Sequence, residues 1–151
     1  MAEEDREALL RSYRHSRQQM LEAIAGLSDE QMTQRSLDGW SVKDHLVHLA
    51  LWDEVRASEV ARISAGHASA WQMTDEQEDD YNAMGHALRA GLTVLQVNWE
   101  LATSRQRLLD AIAAATPRGL DASLYGSSSL VSSHEQEHTG WIQRWRSEKG
   151  I

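Results

Sequence analysis

Apolar side chains recur at helical spacing through four long stretches of this chain, and its single proline, Pro117, falls between the third and the fourth. A chain patterned this way has four stripes to bury, and packing helix against helix buries them together. From about Glu4 to Ala25 the stripe is Leu10, Tyr13, Met20, Leu21 and Ile24, with Gly26 placed to stop the helix. Leu27 to Met32 reads as one short capped turn. The second helix starts sharply at Ser41, which can form a capping box with Asp44, and carries Val42, Leu46, Leu49, Trp52, Val60 and Ile63 to about Ala65. The third begins near Thr93, with Gln96 in capping-box position, and runs through Val94, Val97, Leu101, Leu108 and Ile112 to about Ala115. The fourth is expected from about Ser129 to Glu148. Between the second and third, His67 to Leu92 loses the pattern, and a short acidic helix from Thr74 to about Arg89 is all it is expected to hold. A connection of that length lets the helices it joins run parallel. The expected fold is all-α: a single-domain four-helix bundle over residues 1–151, with a long crossover between helices two and three.

Composition narrows the chemistry. The chain has no cysteine, so disulfides, thiolate metal sites and a cysteine nucleophile are excluded, and any metal must be held by histidine and carboxylate. A formal net charge of −8 argues against nucleic-acid binding through a general basic face. The start, Met1 to Arg6, is charged and lacks the apolar region of a secretory signal, and no apolar run approaches membrane-spanning length. A soluble cytoplasmic protein is therefore expected. No glycine-rich phosphate loop follows a strand, and no Gly-x-Ser-x-Gly occurs. The acidic run Asp75 to Asp80 lacks the glycine and the final ligand of a calcium loop.

Histidine carries the strongest functional signal. Val131, His134, His138, Trp141, Ile142 and Trp145 follow one helical stripe, so two imidazoles stand one turn apart where packing ordinarily places Leu or Val. Burying them is costly unless their nitrogens are paired or bound to metal. A third ligand has to come from another helix. His45 and His48 both flank the apolar side of the second helix, and spacing does not choose between them. His15, His67 and His86 read as solvated surface residues. Asp53, Glu135 and Glu137 are candidates to orient ligand rings or act as a base, although at least two of the three read as ordinary solvated charges. Trp141 and Trp145 are expected in the core, and Trp71 over a pocket or interface.

The segment Gly39-Trp40-Ser41-Val42-Lys43-Asp44-His45-Leu46-Val47-His48-Leu49 resembles the second-helix signature of the DinB/YfiT-like family, in which a Trp opens the helix and His-Leu follows about two turns later. The late His134-x-x-x-His138 looks like the C-terminal pair of that family. The resemblance implies a four-helix bundle with a long crossover and a divalent metal on three histidines. Carried over by position, these are His48, His134 and His138, and His45 matches no family role. Leu27 to Trp52 and Asp79-Asp80-Tyr81-Asn82-Ala83 are also similar to the ClbS/DfsB-like branch.

Three histidines with vacant positions suit a catalytic ion, and imidazole donors suit zinc, nickel, iron or copper. The resemblance implies hydrolases and thiol-dependent transferases or isomerases acting on small electrophiles. Without cysteine, the thiol has to be a diffusible low-molecular-weight cosubstrate. The ClbS/DfsB-like likeness implies instead a protein that binds a small molecule protectively without turnover. The resemblance also implies a homodimer; the first and third helices are the candidate surfaces, because the metal residues come from the second and fourth.

Overall fold

The computed structural model describes residues 2–151, and its regular structure is helical throughout. Helix α1 spans Ala2–Ile24, α2 Asp29–Thr33, α3 Val42–Ser64, α4 Asp75–Arg89, α5 Val94–Ala113 and α6 His134–Lys149. Two 3-10 turns, Arg118–Leu120 and Ala122–Leu124, lie between α5 and α6.

Four of the helices start in the same way. Ser28, Ser41, Thr74 and Thr93 accept a hydrogen bond from the backbone three residues on, and Gln31, Asp44, Gln77 and Gln96 return one to the cap N–H. Each box satisfies two donors that a helix start would otherwise leave unpaired. At the opposite ends, cations from neighbouring helices supply the partners. Arg6 donates to the Ile112 and Ala115 carbonyls at 3.3 and 2.6 Å, and Arg146 donates to Ala23 and Ala25 at 2.8 Å. Lys43 donates to Ala90 and Leu92 beyond the end of α4. Positive charge there also suits the negative end of each helix dipole.

Side-chain contacts fix the helix directions. Lys43 meets Leu92, Glu54 meets Arg107 and Ser64 meets Thr116, so α3 and α5 run parallel, as the long crossover allows. Arg6 meets Ala115 and Arg17 meets Leu101, so α1 is antiparallel to α5. Ser16 meets Gln136 and Ala23 meets Arg146, so α1 is parallel to α6. The crossover helix α4 rests on α3 with Gly85 as its one buried residue; a Cβ at Gly85 would stand 2.2 Å from Leu51 Cδ1, so any larger residue would have to push the Leu51 side chain aside.

The core has two apolar clusters. One gathers Met20, Leu46, Val97, Ile142 and Trp145; the other gathers Leu10, Tyr13, Val60, Leu108, Ile112 and Leu130. In each of the four long helices a charged residue falls between them. Arg17 of α1 and Arg105 of α5 each bridge Asp53 of α3 and Glu135 of α6, at N···O distances of 2.9, 2.9, 2.9 and 3.2 Å. Asp53 and Glu135 are therefore buried ion-pair partners, which corrects the expectation that two of the three acidic candidates would be solvated. The ring also explains α1, where Arg17 takes an inward position and Leu21 stays 49% exposed. Helix α6 begins at His134, later than expected, because Ser129 adopts a left-handed φ of 41° and Arg56 holds the Ser128 and Ser129 carbonyls. Val131 is thus outside the helix and 69% exposed, so it is no part of the stripe. Among the described residues, no helix is long and apolar enough to cross a membrane.

Candidate metal centre

The site begins at a tight turn. Leu37 and Trp40 exchange two backbone hydrogen bonds of 2.9 and 3.0 Å around Asp38 and Gly39, whose φ values are 54° and 89°. Two successive positive φ values define the turn for which Asp-Gly is a preferred sequence. It sets Trp40 against the bundle and leaves Ser41 in place to cap α3. One turn into α3 come His45 and His48. Facing them, the first two turns of α6 present His134 and His138, and the cross-bundle pairs His48–His134 and His45–His138 make α3 antiparallel to α6.

Three ring nitrogens converge. His134 Nε2 lies 3.1 Å from His48 Nε2 and 3.0 Å from His138 Nε2. One donor atom from each of the three rings falls within 4.8 Å of the other two. An ion with metal–nitrogen bonds of about 2.0–2.1 Å sets neighbouring donors roughly 2.9–3.4 Å apart, so the observed edges fit an octahedral or tetrahedral corner. Hydrogen bonding fits less well, because His134 Nε2 has either one proton or one in-plane lone pair and faces two partners. Burial also prepares the donors. It lowers the His48 pKa to about 3 and the His138 pKa to about 2, with the charge of His134 adding to both, and it lowers that of His134. The three imidazoles are accordingly neutral at neutral pH, the state that ligation needs. They stand on the wall of an open cleft of about 680 Å³ between α3 and α6, which Trp40, His45 and Trp141 also line.

The sequence profile of the DinB superfamily matches residues 12–142, which takes in the whole histidine cluster. The chain belongs to the DinB superfamily. The match stands at the superfamily level and does not select the ClbS/DfsB-like branch. A crystal structure of an uncharacterised protein from Escherichia coli UTI89 superposes with a TM-score of 0.77 over 97% of this chain and 95% of that one, at 15% identity, a likeness of fold. Among curated proteins, none matches this sequence.

In this DinB-superfamily chain the triad sits in an aromatic cage. The Trp40 indole packs on the rings of His45, His48 and His86 at centroid distances of 5.0, 5.4 and 4.5 Å. Of the two candidates on α3, His48 joins the triad, while His45 turns to the far edge of His138, with its Nδ1 2.6 Å from His138 Nδ1. His86, expected at the surface, instead stacks on His48 at 6.1 Å, because the close approach at Gly85 presses α4 against α3. Its pKa is lowered by burial, although Asp44, 3.8 Å away, pulls the other way. His15 and His67 are exposed, as expected. Glu137 is exposed as well, and neither Asp53 nor Glu135 hydrogen-bonds a ligand ring. Trp145 is buried as expected, whereas Trp141 is 43% exposed and packs on His138 at 4.7 Å, so it lines the cleft instead of filling the core. Trp71 stacks edge-on against Tyr81, which in turn meets Trp52, whose indole N–H donates to Asn82 on the cleft.

Two features escaped the sequence reading although each left a signal. Arg17 sits between Tyr13 and Met20, and Arg105 between Leu101 and Leu108, each filling the inward position of a gap in its stripe. The Asp38-Gly39 dipeptide marks the turn that delivers Trp40.

Proposed function

We propose that this protein is a metal-dependent enzyme acting on a small molecule, with a divalent transition ion (zinc, nickel or iron) on His48, His134 and His138. The observation that carries this reading is the convergence of three neutral imidazoles on the wall of an open cleft, with His134 Nε2 at metal-corner separations of 3.1 and 3.0 Å from His48 Nε2 and His138 Nε2. Such an ion, when bound, supplies Lewis-acid chemistry to an electrophilic substrate. Three protein ligands leave coordination positions open, as catalytic sites do. The chain's own part is to hold the three rings neutral, to offer the Trp40 and Trp141 faces to an apolar portion of the substrate, and to place Arg144 at the cleft for an anionic portion.

Among the described residues no carboxylate hydrogen-bonds a ring of the triad, and Glu137 and Asp53 reach His134 only through their charge. Asp53 and Glu135 are committed to arginines, and the cleft acids Asp38 and Glu148 are exposed. That favours thiol-dependent transfer or isomerisation, with a diffusible low-molecular-weight thiol as nucleophile, over hydrolysis with a built-in base. The same observation favours a second reading, a non-catalytic small-molecule-binding or protection protein of ClbS/DfsB-like type. The test is turnover of a panel of small electrophiles by metal-reconstituted protein with and without such a thiol. Thiol-dependent turnover that disappears in His48→Ala supports the enzyme. Saturable binding of an electrophile with no turnover under any condition supports the protection reading.

The chain is also proposed to form a homodimer. Leu95 and Trp99, one turn apart on α5, are 79% and 65% exposed, an apolar pair that a second copy would cover. The net charge of −8 keeps nucleic acid outside the proposal.

A further inference from the structure

We propose that His45 is a positioning residue for the metal centre: it accepts a hydrogen bond from His138 Nδ1–H and thereby fixes His138 as an Nε2 ligand. The inference rests on the metal reading given above. His45 and His138 are both buried, and their Nδ1 atoms stand 2.6 Å apart. On its other edge, His138 turns Nε2 to the triad, 3.0 Å from His134 Nε2. A neutral imidazole carries one proton. Once Nε2 has its lone pair on an ion, the proton of His138 is on Nδ1, and the acceptor in contact with it is His45 Nδ1. His45 must then leave Nδ1 bare and carry its own proton on Nε2.

The packing holds that arrangement in place. Trp40 lies 5.0 Å from the His45 ring and 6.3 Å from the His138 ring, and Trp141 lies 6.1 and 4.7 Å from the same two. Both rings thus pack against the same two indoles, while His45 Nε2, which carries the proton in this arrangement, is buried with no hydrogen-bond partner among the described residues. His45 also stays outside the ligand cluster, which gathers His48, His134 and His138 alone, and its Nδ1 faces the edge of His138 remote from the triad. The three ligands are consequently unequal: His48 Nδ1 has no partner among the described residues, whereas His138 Nδ1 has one. Partners of this kind orient a ligand and raise its basicity, and their loss typically lowers metal affinity about 10–100-fold.

Zinc affinity measured by competition with a chromophoric chelator, on the parent chain and on His45→Phe and His45→Asn, tests the proposal. Phe keeps the ring and removes the acceptor; Asn places an oxygen near the Nδ1 position. His45→Phe is expected to lose about 10–100-fold in zinc affinity with unchanged helical circular dichroism, and His45→Asn to stay within a few-fold of the parent. Long-range ¹H–¹⁵N correlation spectra of the zinc-loaded parent are expected to show His138 protonated at Nδ1 and His45 at Nε2. These spectra decide the matter even if the Phe variant misfolds. Parent-like zinc affinity in His45→Phe, an equal loss in both variants, or a proton on His45 Nδ1 would each overturn the role of His45 and leave the triad standing. A parent chain that binds no zinc, nickel or iron would overturn both.

Discussion

Burial strips His45, His48 and His138 of their protons: it lowers their pKa values to about 4, 3 and 2 from the ordinary 6.5. The sign of the consequence follows from linkage. Below about pH 6.5 the unfolded chain takes up protons that the folded chain refuses, so stability is present above that pH and is lost as pH falls towards the folded values. For chelator-treated protein, the thermal midpoint is expected to drop steadily between pH 7.5 and 5, and the drop is expected to shrink in His48→Ala. A midpoint flat across that range in the unsubstituted protein would mean the histidines are not buried neutral. The triad was legible because His134 and His138 occupy an apolar stripe and His48 matches the resemblance. His86 was not, because its contact with His48 depends on how closely α4 approaches α3 at Gly85, a packing distance that spacing within α4 does not encode. Asp53 and Glu135 were misread for a related reason: a lone acid in a sequence reads as solvated until the arginines of two other helices are placed beside it.

Between elements, the ring of Arg17, Asp53, Arg105 and Glu135 ties all four long helices at one level of the bundle. Burial disfavours the Arg105 cation, but the attraction of Asp53 and Glu135 outweighs it and holds the guanidinium above its usual range. Because Glu135 directly follows His134 in the first turn of α6, the ring also fixes the end of the helix that carries two of the three proposed ligands. Removing one member leaves buried charge uncompensated. Arg105→Met is expected to destabilise the fold by about 3–5 kcal/mol in urea melts. A loss below roughly 1 kcal/mol, the value of an exposed ion pair, would show that the ring is solvated in solution. At this scale the capping boxes at Ser41 and Thr93 were readable, since each is a local code over four residues. The start of α6 was not, because the loop before it is held by Arg56 from a different helix.

For the molecule as a whole, the two apolar clusters and the capped helices are expected to close the core without an ion. Chelation is expected to lower the thermal midpoint by mass action, by an amount equivalent to about 2.7 kcal/mol for free metal at a hundred times its Kd, and to leave the helical circular dichroism at room temperature unchanged. Loss of that signal on chelation would make the ion structural. Self-association is the other property at this scale. Sedimentation equilibrium at micromolar concentration is expected to give a dimer of the 17.0 kDa chain, and Leu95→Glu/Trp99→Glu a monomer. A monomer across the concentration range for the unsubstituted chain would reject the dimer and leave the metal centre untouched. Helix order and the parallel pair α3 and α5 were readable from stripe and crossover lengths. The exposed face of α5 was not, because Leu95 and Trp99 look in sequence like any other apolar helix residues.

Metal content of untagged protein bears most directly on the central claim that His48, His134 and His138 form one metal centre. Protein purified without a histidine tag, reconstituted with zinc, nickel or iron and freed of excess metal, is expected to retain close to one ion per chain by elemental analysis. His48→Ala is expected to lose most of it, and His134→Ala/His138→Ala nearly all, while His15→Ala and His67→Ala retain it. Full retention by the double variant, or no retained metal in the unsubstituted chain, would contradict the assignment.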